Sequence, residues 1–381
     1  MNPLRVLHVL TIMNRGGAET MVMNYYRNID RTKIQFDFLL HRESEGAFDD
    51  EILLLGGRIY RLQNINFKNL RQYKKSLDTF FKTHPEYKII HSHLNGLSTF
   101  VLKAAKKNNV PVRIAHSHTS LYKVNMNPFS RNRHSLNFIF KFFVQNYFKL
   151  KVPKYANHYY SCGKKAGLWL FGKRNINAVN MINNAIDSDN FVYQEKKART
   201  IKEQLNLNNK FVVGHVGNFV VEKNHSFLIR VFGELLKLNK DCVLLLVGGG
   251  DNKMYKELVS EMDIVNQVKF LGVRNDVNNI LQAMDVFVFP STNEGLPVTL
   301  IEAQSSGLKI LASDEISNEL NITDLVKFMS LDQPPKYWAE FIIKHSNYNR
   351  ENTKDKIVKG NYDIINNAKM LHDLYQNALK K

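Results

Sequence analysis

Cysteine is nearly absent from this chain, with only Cys162 and Cys242 among 381 residues. That speaks against a disulfide framework or a thiolate zinc site and suits a reducing compartment. Long hydrophobic runs are also missing. No apolar stretch approaches the roughly 20 residues that span a bilayer. The apolar segment at 4–12 is short and is followed by Arg15, Gly16 and Gly17 rather than a small-residue cleavage site. It reads as a buried first strand, not a signal peptide. Acidic side chains are lacking over a long stretch, with none between Glu86 and Asp187. Residues 1–186 carry 29 Lys and Arg against 10 Asp and Glu, whereas residues 187–381 carry 24 against 25. The first half is therefore built to face something anionic: nucleic acid, anionic lipid or a phosphorylated substrate.

With 44% hydrophobic residues the chain can bury two cores. Short apolar runs alternate with amphipathic stretches. In the first half the runs at 6–10, 35–40, 89–91, 112–115 and 158–161 predict strands, and 18–28, 70–81, 97–107 and 136–148 predict helices. In the second half, 211–216, 243–247, 268–271, 286–289 and 309–312 predict strands with helical segments between them. Such alternation implies α/β architecture with parallel sheets covered on both faces. The polar stretch 181–189 is expected to link two domains, 1–186 and 187–360. The tail 361–381 reads as an amphipathic helix. In parallel α/β sheets, ligands bind beyond the carboxyl ends of the strands, so the residues just after each strand carry the most information.

The strongest such segment runs from Phe289 through Glu294, Gly295, Leu296, Pro297 and Val298 to Glu302 and Gly307. A strand ends at Phe289, and Pro297 suits the first position of a helix. The free N–H groups around Gly295, Leu296, Pro297 and Val298 then make an anion site that a diphosphate could fill. A carboxylate at Glu294 would repel phosphate but could accept hydrogen bonds from sugar hydroxyls. Glu302, further along the helix, could hold a ribose diol. The bland alternative is an ordinary helix with an acidic first turn. Its weight falls once the Gly-Leu-Pro insert after a buried strand is considered.

This segment resembles the Glu-x7-Glu signature of retaining glycosyltransferases with the GT-B fold. The opening from Arg5 to Thr20, the stretch Arg113 to His118, Gly214 to Gly217, and Ser313-Asp314-Glu315 resemble the exopolysaccharide and capsule branch of that family in particular. The resemblance implies two Rossmann-like domains facing across a cleft, an acceptor domain first and a nucleotide-sugar domain second, with the last helix crossing back to the first. It also implies glycosyl transfer with retention. Glu294 would contact the donor sugar and Glu302 the ribose. His118 would be the active-site histidine that holds the donor sugar. The loop Gly16-Gly17 would lie against donor phosphate and acceptor.

Lys223, in the run from Gly214 to Asn224, can neutralise a departing diphosphate without a metal. The family usually pairs this lysine with an arginine where this chain has Asn218, and Arg15 is a candidate to compensate. Gly248, in the triple glycine 248–250, suits a loop close to the donor or a plain turn. Val273 and Arg274 resemble the backbone site that grips the nucleotide base. The pairs His91/His93 and His116/His118 place two imidazoles on one strand face, which is the geometry of a chelate. No cysteine or carboxylate supports them, so no metal and no cofactor are expected, and His91 and His93 read as structural or acceptor-side. Asp187-Ser188-Asp189 falls in the expected linker and is discounted as a metal motif.

Between 128 and 160 the chain is rich in Phe, Tyr, Lys and Arg. This suits docking on the anionic inner surface of a membrane, or a core helix with a solvated basic face. The resemblance implies a nucleotide-sugar donor as partner, with UDP preferred on family frequency, and the basic stretch adds the expectation of a saccharide or polyprenyl-diphosphate-linked acceptor. The expected location is cytoplasmic and peripheral to the membrane. The competing class, a basic nucleic-acid-binding protein, lacks a recognisable module and leaves Glu294 and Glu302 unexplained. A GT-B-like sugar epimerase is the second alternative.

Overall fold

The computed structural model describes residues 2–65, 69–119, 136–294 and 296–380. Within helix 136–149 nothing is said of the side chains of residues 136–138 and 141. The chain divides into two compact units, Met1–Ala185 with Ile364–Lys381, and Ile186–Asp363.

The first unit holds β1 (Leu4–Leu10), β2 (Ile34–Leu40), β3 (Ile59–Arg61), β4 (Ile89–Ser92), β5 (Val112–Ser117), β6 (His158–Ser161) and β7 (Val179–Met181). They form one parallel sheet in the order β3-β2-β1-β4-β5-β6-β7. All seven residues of β2 are buried, as expected of a strand covered on both faces. Two apolar layers sandwich the sheet. One contains Val6, Phe36, Phe38, Ile114 and the helix Gly17–Asn28, and is completed by Ile364, Ala368, Leu371 and Tyr375 of the last helix, Ile364–Ala378. The other contains Leu7, Val9, Tyr73, Ile90, Val101 and Trp169. The C-terminal helix is thus part of the first unit's core.

The second unit holds β8 (Phe211–Val216), β9 (Cys242–Val247), β10 (Val268–Gly272), β11 (Val286–Phe289), β12 (Ile310–Ser313) and β13 (Val326–Met329). This sheet is also parallel, in the order β10-β9-β8-β11-β12-β13. Its core gathers Val213, Leu228, Phe232, Leu244, Leu246, Val288 and Trp338.

In each sheet the strand order reverses once, between β1 and β4 and between β8 and β11. These are the points where loops diverge and leave a crevice at the carboxyl ends of the strands. The periodicity reading missed β3, β7 and β13. All three are short strands at sheet edges with partly exposed residues, so they lack the buried apolar run that marks the similarly short β4, β11 and β12, and β7 lies partly within the stretch assigned to the linker.

Candidate functional site

At the reversal point of the second unit, the segments after β8 and β11 are stitched together. Thr292 N–H donates to the Glu222 carbonyl at 2.8 Å, Asn224 Nδ2 donates to the Pro290 carbonyl at 3.2 Å, and His215 Nδ1 lies 2.8 Å from the Val288 carbonyl. Asn224 adopts a left-handed φ of 54°, which ends the short turn Val221–Lys223 and starts the helix His225–Leu238. Asparagine tolerates that conformation well. The turn places Lys223 Nζ 2.7 Å from Glu294 Oε1, with the two side chains only 16% and 17% exposed. Nζ also lies 4.5 Å over the Phe289 ring. The cation suited to phosphate and the carboxylate suited to sugar hydroxyls therefore neutralise each other. A diphosphate carries more charge than one carboxylate and can draw Lys223 away, freeing Glu294 for hydroxyl groups.

The helix that follows spans Val298–Ser305. Pro297 is not its first residue, as the sequence suggested, but the residue before it. Its ψ of 116° is extended, so the helix begins one position later. Gly295 lies outside the described residues. Leu296 and Val298 are buried at 5% and 9% exposure, so the segment enters the helix with its side chains inward. The N–H groups of Val298 and Thr299 begin the helix and have no partner within it, and Thr299 Oγ1 is buried and unpartnered among the described residues. On the same helix, burial pushes the Glu302 carboxyl up to about 7.

Asn218 does not act as a spare cation would. Its Oδ1 accepts from Gly249 N–H at 3.1 Å, so it fastens the loop after β9 to the loop after β8. Gly248 explains the need for glycine there: a Cβ on it would lie 2.1 Å from the Gly217 carbonyl oxygen. Gly248 N–H in turn donates to the Gly272 carbonyl at 2.9 Å. The Arg274 guanidinium is spent on Asp276, with two contacts of 2.8 Å. Asp189 pairs with Lys354, Asp187 accepts from Asn190, and Ser188 donates to Asp363, so this stretch is accounted for by local structure.

In the first unit, Gly16 is the N-cap of the helix Gly17–Asn28. A Cβ on Gly16 would lie 2.3 Å from Glu19 Oε2, so the Glu19 carboxylate stands at the helix start. Burial raises its pKa. Any phosphate near Gly16 and Gly17 would have to displace or protonate that group. Among the described residues nothing lies within 4 Å of a Cβ on Gly17.

The histidines are brought together more fully than the sequence indicated. His91 and His93, and His116 and His118, lie on adjacent β4 and β5 or directly after them, and His8 of β1 pairs in register with His91. Ring centroids are 4.3 Å apart for His91–His93 and 4.1 Å for His116–His118. Burial holds His8 and His118 at about 3 and drives His91, His93 and His116 well below the usual imidazole range. All five are neutral near pH 7. Two triads, His8/His91/His93 and His93/His116/His118, place one nitrogen from each ring within 4.8 Å of the others. His8 and Tyr375 were missed in the sequence, one inside an apolar strand and the other on an apolar helix face. Two His-x-His pairs at the ends of neighbouring strands were the available signal.

Two parallel α/β units with loops gathered at their reversal points define the class: a Rossmann-like architecture of the GT-B type. The whole chain aligns with HepE of Anabaena, solved in complex with UDP-glucose, at a TM-score of 0.76 and 16% identity, covering 98% of this chain and 99% of that one. The family described as glycosyl transferases group 1 matches residues 197–333. The chain is 34% identical over 99% of its length to the putative glycosyltransferase EpsF of Bacillus subtilis, covering 97% of that protein. It is 26% identical over 92% of its length to the capsular polysaccharide biosynthesis glycosyltransferase CapH of Staphylococcus aureus, covering 95% of it. Over 52% of its length it is 28% identical to the UDP-Gal:alpha-D-GlcNAc-diphosphoundecaprenol alpha-1,3-galactosyltransferase of Escherichia coli, covering 54% of that enzyme. The protein belongs to the group 1 glycosyltransferases.

Proposed function

We propose that the protein transfers a sugar from a UDP-sugar to a saccharide carried on a polyprenyl diphosphate, with retention and without a metal, during assembly of a capsule or exopolysaccharide. The observation that carries this reading is the grouping of Lys223, Glu294 and the start of helix Val298–Ser305 at one reversal point. Lys223 Nζ and the first-turn N–H groups take the diphosphate, and their fixed positive charge stabilises it as it leaves. Glu294, released from Lys223, accepts from sugar hydroxyls, and Glu302 accepts from the ribose. In the reaction the acceptor oxygen bonds to the anomeric carbon, the bond from that carbon to the diphosphate oxygen breaks, and the hydroxyl proton leaves with the diphosphate. The named substrates of the E. coli relative support UDP and a lipid-linked acceptor, and CapH supports capsule synthesis.

The first unit supports the membrane-bound acceptor. Helix Leu136–Lys149 and the residue following it expose Phe140, Phe143, Tyr147 and Leu150 at 57%, 57%, 57% and 77%. Their spacing of three and four residues puts them on one helix face. Elsewhere in the stretch 128–160, Phe142 is half-buried, Lys149 lies over Trp169 and Lys151 over Tyr147. The side chains of Phe138 and Lys141, like Arg131 and Arg133, lie outside the described residues. Among the described residues no helix is long and apolar enough to cross a membrane, so attachment proceeds through this face and the surrounding lysines.

The test is turnover across a panel of UDP-, GDP- and ADP-sugars in the presence of EDTA, with the product's anomeric configuration read by NMR. Turnover with one UDP-sugar and a retained configuration are expected. Activity that collapses in EDTA and returns with manganese would refute metal independence. Stabilisation by none of the nucleotides would refute the donor site, because a ligand at 100 times its Kd should add about 2.7 kcal/mol.

A further inference from the structure

Six side chains of the first unit form one unbroken hydrogen-bonded string. His118 Nε2 lies 2.7 Å from His93 Nδ1, and His93 Nε2 lies 3.0 Å from His8 Nδ1. His8 Nε2 lies 3.5 Å from the Tyr375 hydroxyl, which lies 2.6 Å from His91 Nδ1. His91 Nε2 lies 3.0 Å from His116 Nδ1. At the two ends, His118 Nδ1 and His116 Nε2 are buried and have no partner among the described residues.

A neutral imidazole has one N–H donor and one lone-pair acceptor. Every internal link of the string uses one of each, so fixing the tautomer of any ring fixes all the others. Only two arrays bond every link and also give the Tyr375 O–H a partner; were its oxygen to accept from both His8 and His91, its own buried O–H would be stranded. In one, each group donates toward His116, leaving an unmet N–H at His116 Nε2 and a bare lone pair at His118 Nδ1. In the other, each group donates toward His118, leaving the N–H at His118 Nδ1 and the bare lone pair at His116. His116 is 0% exposed, whereas His118 is partly accessible. A buried N–H without an acceptor is the costlier orphan, so the proton belongs on the partly accessible ring, His118, whose buried Nδ1 a bound ligand oxygen would satisfy. Burial keeps the Tyr375 phenol protonated, so its hydroxyl can pass the direction from His91 to His8.

We propose that Tyr375, His8, His91, His93 and His116 are positioning residues that fix His118 as its Nδ1–H tautomer, so that it offers a neutral hydrogen-bond donor to an oxygen of the bound donor substrate. The substrate assignment rests on the reading of His118 given above; the tautomer does not. A metal in either triad would need the lone pairs that the rings now spend on one another. It would also bring uncompensated charge into a desolvated cluster of neutral groups. Tyr375 sits on the C-terminal helix, so the docking of that helix is what joins the two halves of the string.

The experiment is a two-bond ¹H–¹⁵N correlation spectrum of the full-length protein with labelled histidine, near pH 7.5 and without ligand. It distinguishes Nδ1–H, Nε2–H and imidazolium. The His118 signals are those lost in His118→Ala. The wild type should show neutral His118 protonated at Nδ1. In Tyr375→Phe the two halves uncouple: His118 should stay Nδ1–H, because the alternative strands a buried N–H on His8, while His91 and His116, deprived of their acceptor, should show a second signal set with His116 protonated at Nε2. An Nε2–H or charged His118 in the wild type would overturn the proposal. So would unaltered His91 and His116 signals in Tyr375→Phe, or one equivalent of tightly held zinc in the purified protein. Should Tyr375→Phe not fold, the wild-type spectrum decides the tautomer and His93→Gln tests the coupling. Because these spectra need no substrate, failure of every nucleotide-sugar would sink the proposed function and leave the tautomer result standing.

Discussion

Glu302 sets a conflict between stability and binding that can be measured. Burial raises its carboxyl from 4.5 to about 7 in the folded protein. The folded state therefore holds a proton that the unfolded state has already lost between those values. Stability from this group is fully present below pH 4.5, declines as pH rises, and is lost above about 7. At 1.36 kcal/mol per unit, the ionised carboxylate costs about 3 kcal/mol at pH 8. That is an upper bound, because Glu302 keeps part of its surface accessible. Glu302→Gln removes the titration and keeps the shape. It should unfold at higher denaturant concentration than the wild type at pH 8, and the gap should close as pH falls toward 4.5.

Binding should move the opposite way. A carboxylate accepts from both hydroxyls of a ribose, whereas an amide offers one acceptor. Loss of one charge-assisted hydrogen bond costs about 1.5–3 kcal/mol, so Glu302→Gln should bind uridine roughly tenfold or more weakly at pH 8. Uridine avoids the titration of a terminal phosphate. Wild-type affinity should fall as pH drops through about 7, while that of Glu302→Gln should stay level. Calorimetry and urea unfolding at pH 5 and pH 8 read both effects. A substitution that shifts stability equally at the two pH values, or leaves uridine affinity unchanged, would refute the reasoning. Opposed signs are what a residue retained for binding should give.

Lys223→Met should weaken UDP binding roughly tenfold or more, since it removes a charge-assisted contact and leaves Glu294 unneutralised beside the diphosphate; equal Kd values for wild type and variant would remove Lys223 from the site. Phe143→Ser with Tyr147→Ser should reduce co-sedimentation with anionic liposomes at low salt while sparing turnover on a water-soluble acceptor. Equal, weak partition of the wild type into neutral and anionic liposomes would instead leave the basic charge serving the acceptor's phosphates.

Much of the fold was legible because parallel strands buried on both faces leave continuous apolar runs. The segments 35–40 and 211–216 announced β2 and β8 almost to the residue. The short edge strands β3, β7 and β13 did not, since their partly exposed residues make no buried apolar run. The start of helix Val298–Ser305 was misjudged by one position because Pro297 satisfies both a first helical position and an extended flank, and only its ψ decides. At the reversal point of the second unit, Lys223 and Glu294 were readable singly from their places after strands. Their ion pair was not, because sequence gives the ends of two strands but not the direction of two long side chains.

The histidine string marks a deeper limit. His91, His93, His116 and His118 stood out by spacing, yet their chemistry depends on His8, which looked like one polar residue in an apolar strand, and on Tyr375, which looked like core. Neither can be assigned until topology puts β1 beside β4 and packs the last helix against that sheet. Tyr375 is chemically two residues at once. Its ring completes the apolar layer with Phe36 and Leu371, and its hydroxyl joins two rows of imidazoles. A hydrophobic pattern detects the first role and conceals the second. Tyr375→Phe therefore preserves nearly everything periodicity could recognise and removes the hydroxyl that joins the C-terminal helix to the histidine string.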